Sequence, residues 1–82
     1  MKIKAEYTIE LKDGKYRNKA SKVFHCPRYA ATDKTKLAKF CRHMNSEVEC
    51  MVFEMDYFTN TITATSPIET YIFSNFKFTE VK

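Results

Sequence analysis

The sequence is poor in glycine and proline and has no apolar run long enough to cross a membrane. Gly14 is its only glycine among 82 residues, and there are two prolines. A glycine-rich phosphate-binding loop is therefore excluded, and no flexible linker is expected. Every window of membrane-spanning length is too polar, so we expect no membrane partner. A chain of this length has enough residues for one core, which predicts a single domain over residues 1–82.

The N-terminal segment lacks the apolar stretch of a signal peptide, because charged side chains interrupt it at Lys2, Lys4, Glu6 and Glu10. We therefore expect a cytoplasmic protein in a reducing environment. Disulfide bonds are rare in such a compartment, which argues against disulfide bonds between the cysteines.

Three cysteines are an odd number for a disulfide framework, and we expect each to be a small buried hydrophobe: Cys26, Cys41 and Cys50. Structural zinc sites usually draw their ligands from short-spaced pairs that converge on the metal. His25 and Cys26 are adjacent and point apart if extended. Cys41 and His43 lie two positions apart on a predicted helix and also diverge. We expect no metal and no other cofactor.

No arrangement of residues indicates catalysis. Cys26 has basic neighbours in the sequence, but no base and orienting group accompany it, as nucleophilic catalysis requires. Four carboxylates could supply an acid–base pair, although charged residues at strand ends more often form a solvated rim: Glu47, Glu49, Glu54 and Asp56. We therefore expect a protein that is not an enzyme.

Charge is distributed unevenly along the chain. The net charge of +4 arises from fourteen Lys and Arg and ten Asp and Glu residues. Residues 1–42 hold twelve basic and four acidic side chains, a net +8, whereas residues 43–82 hold two basic and six acidic, a net −4. The basic excess exceeds what solubility requires and favours binding to a polyanion such as nucleic acid.

Residues 3–11 alternate apolar and polar side chains, which predicts a strand buried on one face. The pair Asp13-Gly14 that follows favours a two-residue type I′ turn, in which both central residues need positive φ. A hairpin closed there pairs Glu10 with Arg17.

The second strand of this hairpin has an irregular pattern. Unbroken register would turn Lys22 inward, and the adjacent Val23 and Phe24 cannot share one face. A bulge or an early strand end near Ser21 and Lys22 would resolve the conflict.

A helix is predicted after Pro27 by an apolar stripe with i, i+3, i+4 and i+7 spacing, formed by Leu37, Phe40, Cys41 and Met44. Thr32 or Asp33 can cap its first turn. Its basic residues, Lys36, Lys39 and Arg42, lie on the side away from this stripe.

Two further strands are predicted after the helix. Residues 47–58 have apolar side chains on both faces, as in a central strand. Thr61 to Thr65 forms a short strand with Ile62 and Ala64 turned inward.

The last segment is ambiguous. Ser66-Pro67-Ile68-Glu69 has the form of a helix-capping box, whereas residues 70–73 favour a strand. We predict a short helix to about residue 74 and a strand over residues 76–81. The fold class is then α+β: a small antiparallel sheet of about five strands with one main helix, in the order ββαββ, a possible short helix, β.

The candidate nucleic-acid-binding residues lie on the hairpin and the helix: Lys12, Lys15, Arg17, Lys19, Lys36, Lys39 and Arg42. Whether the two groups form one surface depends on how the helix packs. Exposed rings stack bases in single-strand binders, and the rings whose burial is least certain are Tyr16, Tyr29, Tyr57, Tyr71 and Phe73. The glycines of the RNP motif are absent.

In size, in its Lys-, Glu-, Phe- and Tyr-rich composition, and in its single glycine and three unpaired cysteines, the chain resembles small accessory proteins of large bacteriophages. The resemblance implies a stoichiometric inhibitor of a host nuclease, toxin or defence complex, acting in the host cytoplasm. It covers composition only and transfers no residue role.

Our leading hypothesis is a non-catalytic protein that contacts RNA or another nucleic acid, or a protein that handles nucleic acid. The alternative is a protein–protein inhibitor that docks a charged partner surface without nucleic acid. A homodimer through an open sheet edge, such as that of the terminal strand, would help to stabilise so small a domain.

Overall fold

A five-stranded antiparallel sheet carries a single helix on one face in the computed structural model, which describes residues 1–82. The elements in chain order are β1 (Lys2–Leu11), β2 (Arg17–His25), α1 (Asp33–Glu47), β3 (Val52–Asp56), β4 (Thr61–Thr65) and β5 (Thr70–Val81). The predicted α+β class, with one main helix and five strands, is confirmed. The helix is not long and apolar enough to cross a membrane.

The strand order across the sheet is β2-β1-β5-β4-β3, so the terminal strand β5 lies in the middle. One edge of β5 pairs with β1 along almost its whole length, but on the other edge β4 pairs only with residues 70–73. The rest of that edge, beyond Phe73, has no strand partner, so a dimer through the edge of the terminal strand stays a prediction.

The β1–β2 hairpin has the predicted register, with Glu10 opposite Arg17. Its turn differs from the prediction: the Leu11 N–H donates to the Tyr16 carbonyl at 2.9 Å, which closes a loop of four residues. Only Gly14 has positive φ, at 80°, so the type I′ turn is wrong. The Asp13 carboxylate accepts the Lys15 N–H instead, at 2.9 Å, and this local bond competes with a two-residue turn.

The predicted irregularity near Ser21 and Lys22 is also wrong, because β2 keeps an unbroken register with β1 up to His25. Val23 points outward and is 48% exposed, whereas Phe24 is buried. Lys22 does turn inward beside Ala5. Its long side chain extends past the sheet edge, and the ammonium lies 2.8 Å from the carboxylate of Glu47 at the end of α1.

Helix α1 forms as predicted. Its first turn is capped by Thr32, whose hydroxyl accepts the Thr35 N–H at 3.2 Å. The four residues of the apolar stripe are buried: Leu37, Phe40, Cys41 and Met44. The ring of Phe40 lies 5.3 Å from that of Tyr7 in β1, 5.2 Å from Phe24 in β2 and 5.7 Å from Phe76 in β5. The helix thus covers the face of the sheet on which these rings lie, here called the core face.

Strand β3 is a five-residue edge strand, so the prediction of a central strand over residues 47–58 is wrong. The helix partly protects its free edge. The Asn45 side-chain amide donates to the Phe53 carbonyl and accepts the Phe53 N–H, both at 2.8 Å. Strand β4 forms as predicted, with Ile62 and Ala64 fully buried.

The short helix predicted before residue 74 does not form. Ser66 and Glu69 instead close the turn between β4 and β5, where the Ser66 N–H donates to the Glu69 carbonyl at 2.8 Å. Strand β5 is continuous but has a bulge at Asn75, whose φ is 55°, where its register with β1 shifts. Because of this extra residue, Phe73 and Phe76 both lie on the core face although they are three positions apart.

Candidate functional site

The face of the sheet opposite the helix, here called the outer face, gathers basic side chains from three neighbouring strands. Alternate residues of a strand share a face, and residues directly opposite in adjacent strands share it as well. The register therefore places five exposed cations on the outer face of β2, β1 and β5: Lys2, Lys4, Arg17, Lys19 and Lys77. These five residues are called the sheet patch.

A hollow of about 420 Å³ lies within the sheet patch, beside the bulge of β5. Arg17 and Lys19 from β2 line one side, and Lys77 and Asn75 from β5 line the other. Thr8 of β1 lies between them and is only 7% exposed. The two strands that flank β1 are about 10 Å apart, so cations on both can contact one anionic chain lying along β1.

Carboxylates partly offset this charge. Glu6 lies directly opposite Lys77, and Glu10 lies opposite Arg17. The cations still outnumber the carboxylates on this part of the outer face, so its net charge is positive.

The structure divides the seven predicted binding residues into two groups. Arg17 and Lys19 belong to the sheet patch, and Lys12 and Lys15 lie exposed on the turn at the end of the same hairpin. The other three, here called the helix patch, lie on the side of α1 that faces away from the sheet: Lys36, Lys39 and Arg42. The two groups are on opposite surfaces of the molecule, because α1 packs directly on the core face.

Lys77 was missed by the sequence reasoning. It lies in the acidic half of the chain, and the predicted strand over residues 76–81 had no assigned neighbour. No local signal identifies it, since its position beside β1 depends on the central place of β5 in the sheet.

The helix patch includes one aromatic contact. The Lys39 ammonium lies 5.4 Å from the centre of the Tyr29 ring, a cation–π contact at a residue that is 73% exposed. In contrast, none of the five residues of the sheet patch is aromatic, and the exposed ring nearest to them in the strand register is the imidazole of His25, directly opposite Lys2.

The opposite end of the outer face is acidic. Glu54 and Asp56 project from β3, and the threonines of β4 separate them from the basic strands. Charge along the outer face therefore changes from positive at the β2 edge to negative at the β3 edge.

The cysteines differ in burial. Cys26 and Cys41 are buried as predicted, whereas Cys50 is exposed in the loop before β3, so its predicted burial is wrong. Burial, followed by the charge of Glu54, raises the pKa of the Cys41 thiol. That thiol donates to the Phe53 carbonyl at 3.4 Å, which makes it a poor nucleophile at neutral pH. No three His, Cys, Asp or Glu side chains lie close enough together to hold a metal ion.

One charged cluster ties the end of α1 to β2. The Glu47 carboxylate contacts the Lys22 ammonium at 2.8 Å and lies 3.2 Å from the Nε2 of His43, which is not aligned for a hydrogen bond. The hydrogen bond from Lys22 is the main cause of the lowered pKa of Glu47. Desolvation, the next effect in size, opposes it, and the charges of His43 and Lys22 add to the lowering. This cluster joins the end of α1 to β2, which indicates a structural role.

The chain matches no protein-family model, no curated protein and no solved structure.

Proposed function

We propose that this protein binds nucleic acid through the phosphate backbone, with the sheet patch as the contact surface. The observation that carries the proposal is the convergence of cations from β2, β1 and β5 on a face that no other element covers. Rigid neighbouring strands hold these cations at fixed spacings, which suits a regularly charged chain.

The expected mode of contact is electrostatic and independent of sequence. Each neutralised phosphate releases condensed counterions, so the logarithm of the affinity falls linearly with the logarithm of salt concentration. Five phosphate contacts would give a slope of at most about −4.5 on duplex DNA and about −3.5 on a single strand. Glu6 and Glu10 reduce these values. Because the five residues of the sheet patch are lysines and an arginine, we expect contact with the phosphate backbone and little discrimination between sequences.

Two charge-reversal variants test the proposal against a matched control. The triple variant Arg17→Glu, Lys19→Glu and Lys77→Glu alters the sheet patch. The triple variant Lys36→Glu, Lys39→Glu and Arg42→Glu alters the helix patch. Each lowers the net charge from +4 to −2, because each reversal removes one positive charge and adds one negative charge.

We expect the sheet-patch variant to lose about 100-fold or more in affinity for a labelled oligonucleotide at low salt, measured by fluorescence anisotropy. The helix-patch variant should lose less affinity, because only its changed net charge acts on the oligonucleotide and salt screens that effect. Equal losses in both variants, or no salt-sensitive binding by the native protein, would contradict the proposal. Circular dichroism checks that both variants fold.

As part of the same proposal, binding serves a non-catalytic, stoichiometric role, such as the inhibition of a host nuclease, toxin or defence complex. The compositional resemblance to phage accessory proteins supports this part. Capture of a partner from a host lysate, with and without nuclease treatment, tests it. A partner that is released by nuclease treatment supports contact through nucleic acid, whereas a retained partner favours the alternative of direct protein docking.

A further inference from the structure

Helix α1 leaves one end of the core face uncovered, next to the hairpin turn. A groove of about 320 Å³ opens there, and all six residues that line it are hydrophobic: Ile9, Leu11, Tyr16, Met51, Tyr71 and Phe73. Phe73 forms its buried base, whereas Tyr16 at its margin is 44% exposed. A groove of this size and lining can hold a flat apolar group.

The rings at the margin of this groove differ from those of the core. Tyr7 packs against Phe40, Phe73 and Phe76, with ring centres 5.2 to 5.4 Å apart. Tyr16 and Tyr71 also line the core face but take part in no ring–ring contact. Both side chains line the groove, so each presents part of its surface to a ligand bound there.

The turn beside the groove carries charges of both signs. Lys12, Asp13 and Lys15 belong to this four-residue turn, whose two ends, Leu11 and Tyr16, line the groove. The Lys12 N–H donates to the Thr70 carbonyl at 3.0 Å, which holds the turn against the strand that carries Tyr71. The two lysines of the turn can contact an anion that is attached to a planar apolar group in the groove. A nucleotide has both parts.

A hydrogen-bonding group also lies at the groove. The Tyr71 hydroxyl donates to the carboxylate of Glu69. A carboxylate has more than one lone pair to share, so Glu69 can also accept an N–H from the edge of a base. Glu69 and Asp13 of the turn equal Lys12 and Lys15 in number, so a phosphate would be held here by direct contact with the lysine ammonium groups and not by a net positive charge.

The geometry points to a binding site for an unpaired nucleobase in this groove, with Lys12 and Lys15 holding an adjacent phosphate. The inference rests on the proposed function, since it gives the same nucleic acid a second contact at the end of the basic hairpin. It also specifies the substrate class, because a base within a duplex cannot enter the groove. The protein therefore prefers single-stranded nucleic acid to duplex.

The first test uses a mononucleotide, which is too small to need the sheet patch. Titration of the labelled protein with adenosine monophosphate, followed by NMR, should shift the resonances of Tyr16, Tyr71 and the Met51 methyl group. Inorganic phosphate serves as the control and should shift only Lys12 and Lys15. Unchanged Tyr16 and Met51 resonances, or equal shifts with phosphate alone, would overturn the inference.

The second test compares Tyr16→Ser with Tyr57→Ser. Tyr57 is 55% exposed and follows β3 at the other edge of the sheet, so it controls for loss of an exposed ring. Loss of one stacked base should weaken single-strand binding by roughly 5- to 150-fold in Tyr16→Ser. Duplex binding should stay unchanged, and Tyr57→Ser should bind like the native protein. A base site would be contradicted if both variants weakened single-strand binding equally, or if Tyr16→Ser weakened single-strand and duplex binding equally.

These results separate the two proposals. If the mononucleotide shifts Tyr16 but no oligonucleotide binds with salt dependence, the sheet-patch proposal fails and the base site stands. If oligonucleotides bind with salt dependence but single strands show no advantage and Tyr16→Ser has no effect, the base site fails alone.

Discussion

The sheet patch and the helix patch carry charge of the same sign but are built in different ways. The cations of the sheet patch come from positions as distant in sequence as Lys2 and Lys77, and the backbone ladder of three strands holds them together. The helix patch comes from less than two turns of one element, and Lys39 already contacts the Tyr29 ring. The sheet patch is therefore a product of tertiary structure, whereas the helix patch requires only that α1 be helical.

The largest expected effect is a loss of stability when the packing between α1 and the core face is disrupted at Phe40. Phe40→Ala removes the ring that packs between α1 and three strands, and we expect it to lower the free energy of unfolding by about 3–5 kcal/mol. Val23→Ala, on the outer face, should cost less than about 1 kcal/mol because Val23 is half exposed. Urea denaturation measures both. Similar losses in the two variants would contradict the division into a covered and an open face.

An intermediate effect is expected at the bulge of β5, which lies beside the sheet patch and not beside the helix patch. Asn75 and Asn60 both have a φ of 55°, so a valine at either position should lower the free energy of unfolding by about 1–2 kcal/mol. Asn75→Gly should avoid this loss, since glycine adopts the conformation without strain.

Nucleic-acid binding distinguishes these two positions. If both valine variants fold, Asn75→Val should weaken oligonucleotide binding and Asn60→Val should not. The reason is that Asn75 lines the hollow beside Lys77, whereas Asn60 does not. Equal affinities of Asn75→Val and Asn60→Val in the anisotropy assay would show that the bulge does not shape the binding surface.

The smallest expected effect concerns the link between α1 and β2. The pKa of Glu47 is lowered in the folded protein, chiefly by its bond with Lys22. Its stabilising contribution is therefore present above the ordinary carboxyl pKa of about 4.5 and is lost as the pH falls through the lowered value. Lys22→Met should reduce stability at pH 6 and have less effect near pH 3, as measured by urea denaturation. A loss of the same size at both pH values would exclude the ion pair as its cause.

Local patterns predicted those parts of the fold that local interactions determine. The alternation in β1 identified the core face, and the spacing of Leu37, Phe40, Cys41 and Met44 identified the buried side of α1. The predictions failed where a residue's conformation depends on contacts with residues distant in the sequence. Lys22 can turn inward because its ammonium reaches the carboxylate of Glu47. The bulge at Asn75 places Phe73 and Phe76 on the same face, whereas a regular strand would place them on opposite faces.

The candidate site was predictable only in part, for a related reason. The lysines of the hairpin and the helix are evident from the sequence, but the packing of α1 separates them. Lys77 joins the hairpin because β5 is inserted beside β1. The apolar groove was not predicted, although the burial of Tyr16 and Tyr71 was uncertain from the sequence. Tyr71 was assigned to a short helix, and its place in β5 beside Leu11 depends on the pairing of distant strands.

The central position of β5 also determines when this protein can fold during synthesis. Until Thr70–Val81 leaves the ribosome, the β1–β2 and β3–β4 hairpins have no strand to join them, and a two-stranded hairpin is at best marginally stable alone. The pairing of β1 with β5 connects positions as far apart as Lys2 and Val81, and such long-range contacts slow folding. The sheet therefore assembles only after β5 has been translated, when this strand pairs with both hairpins.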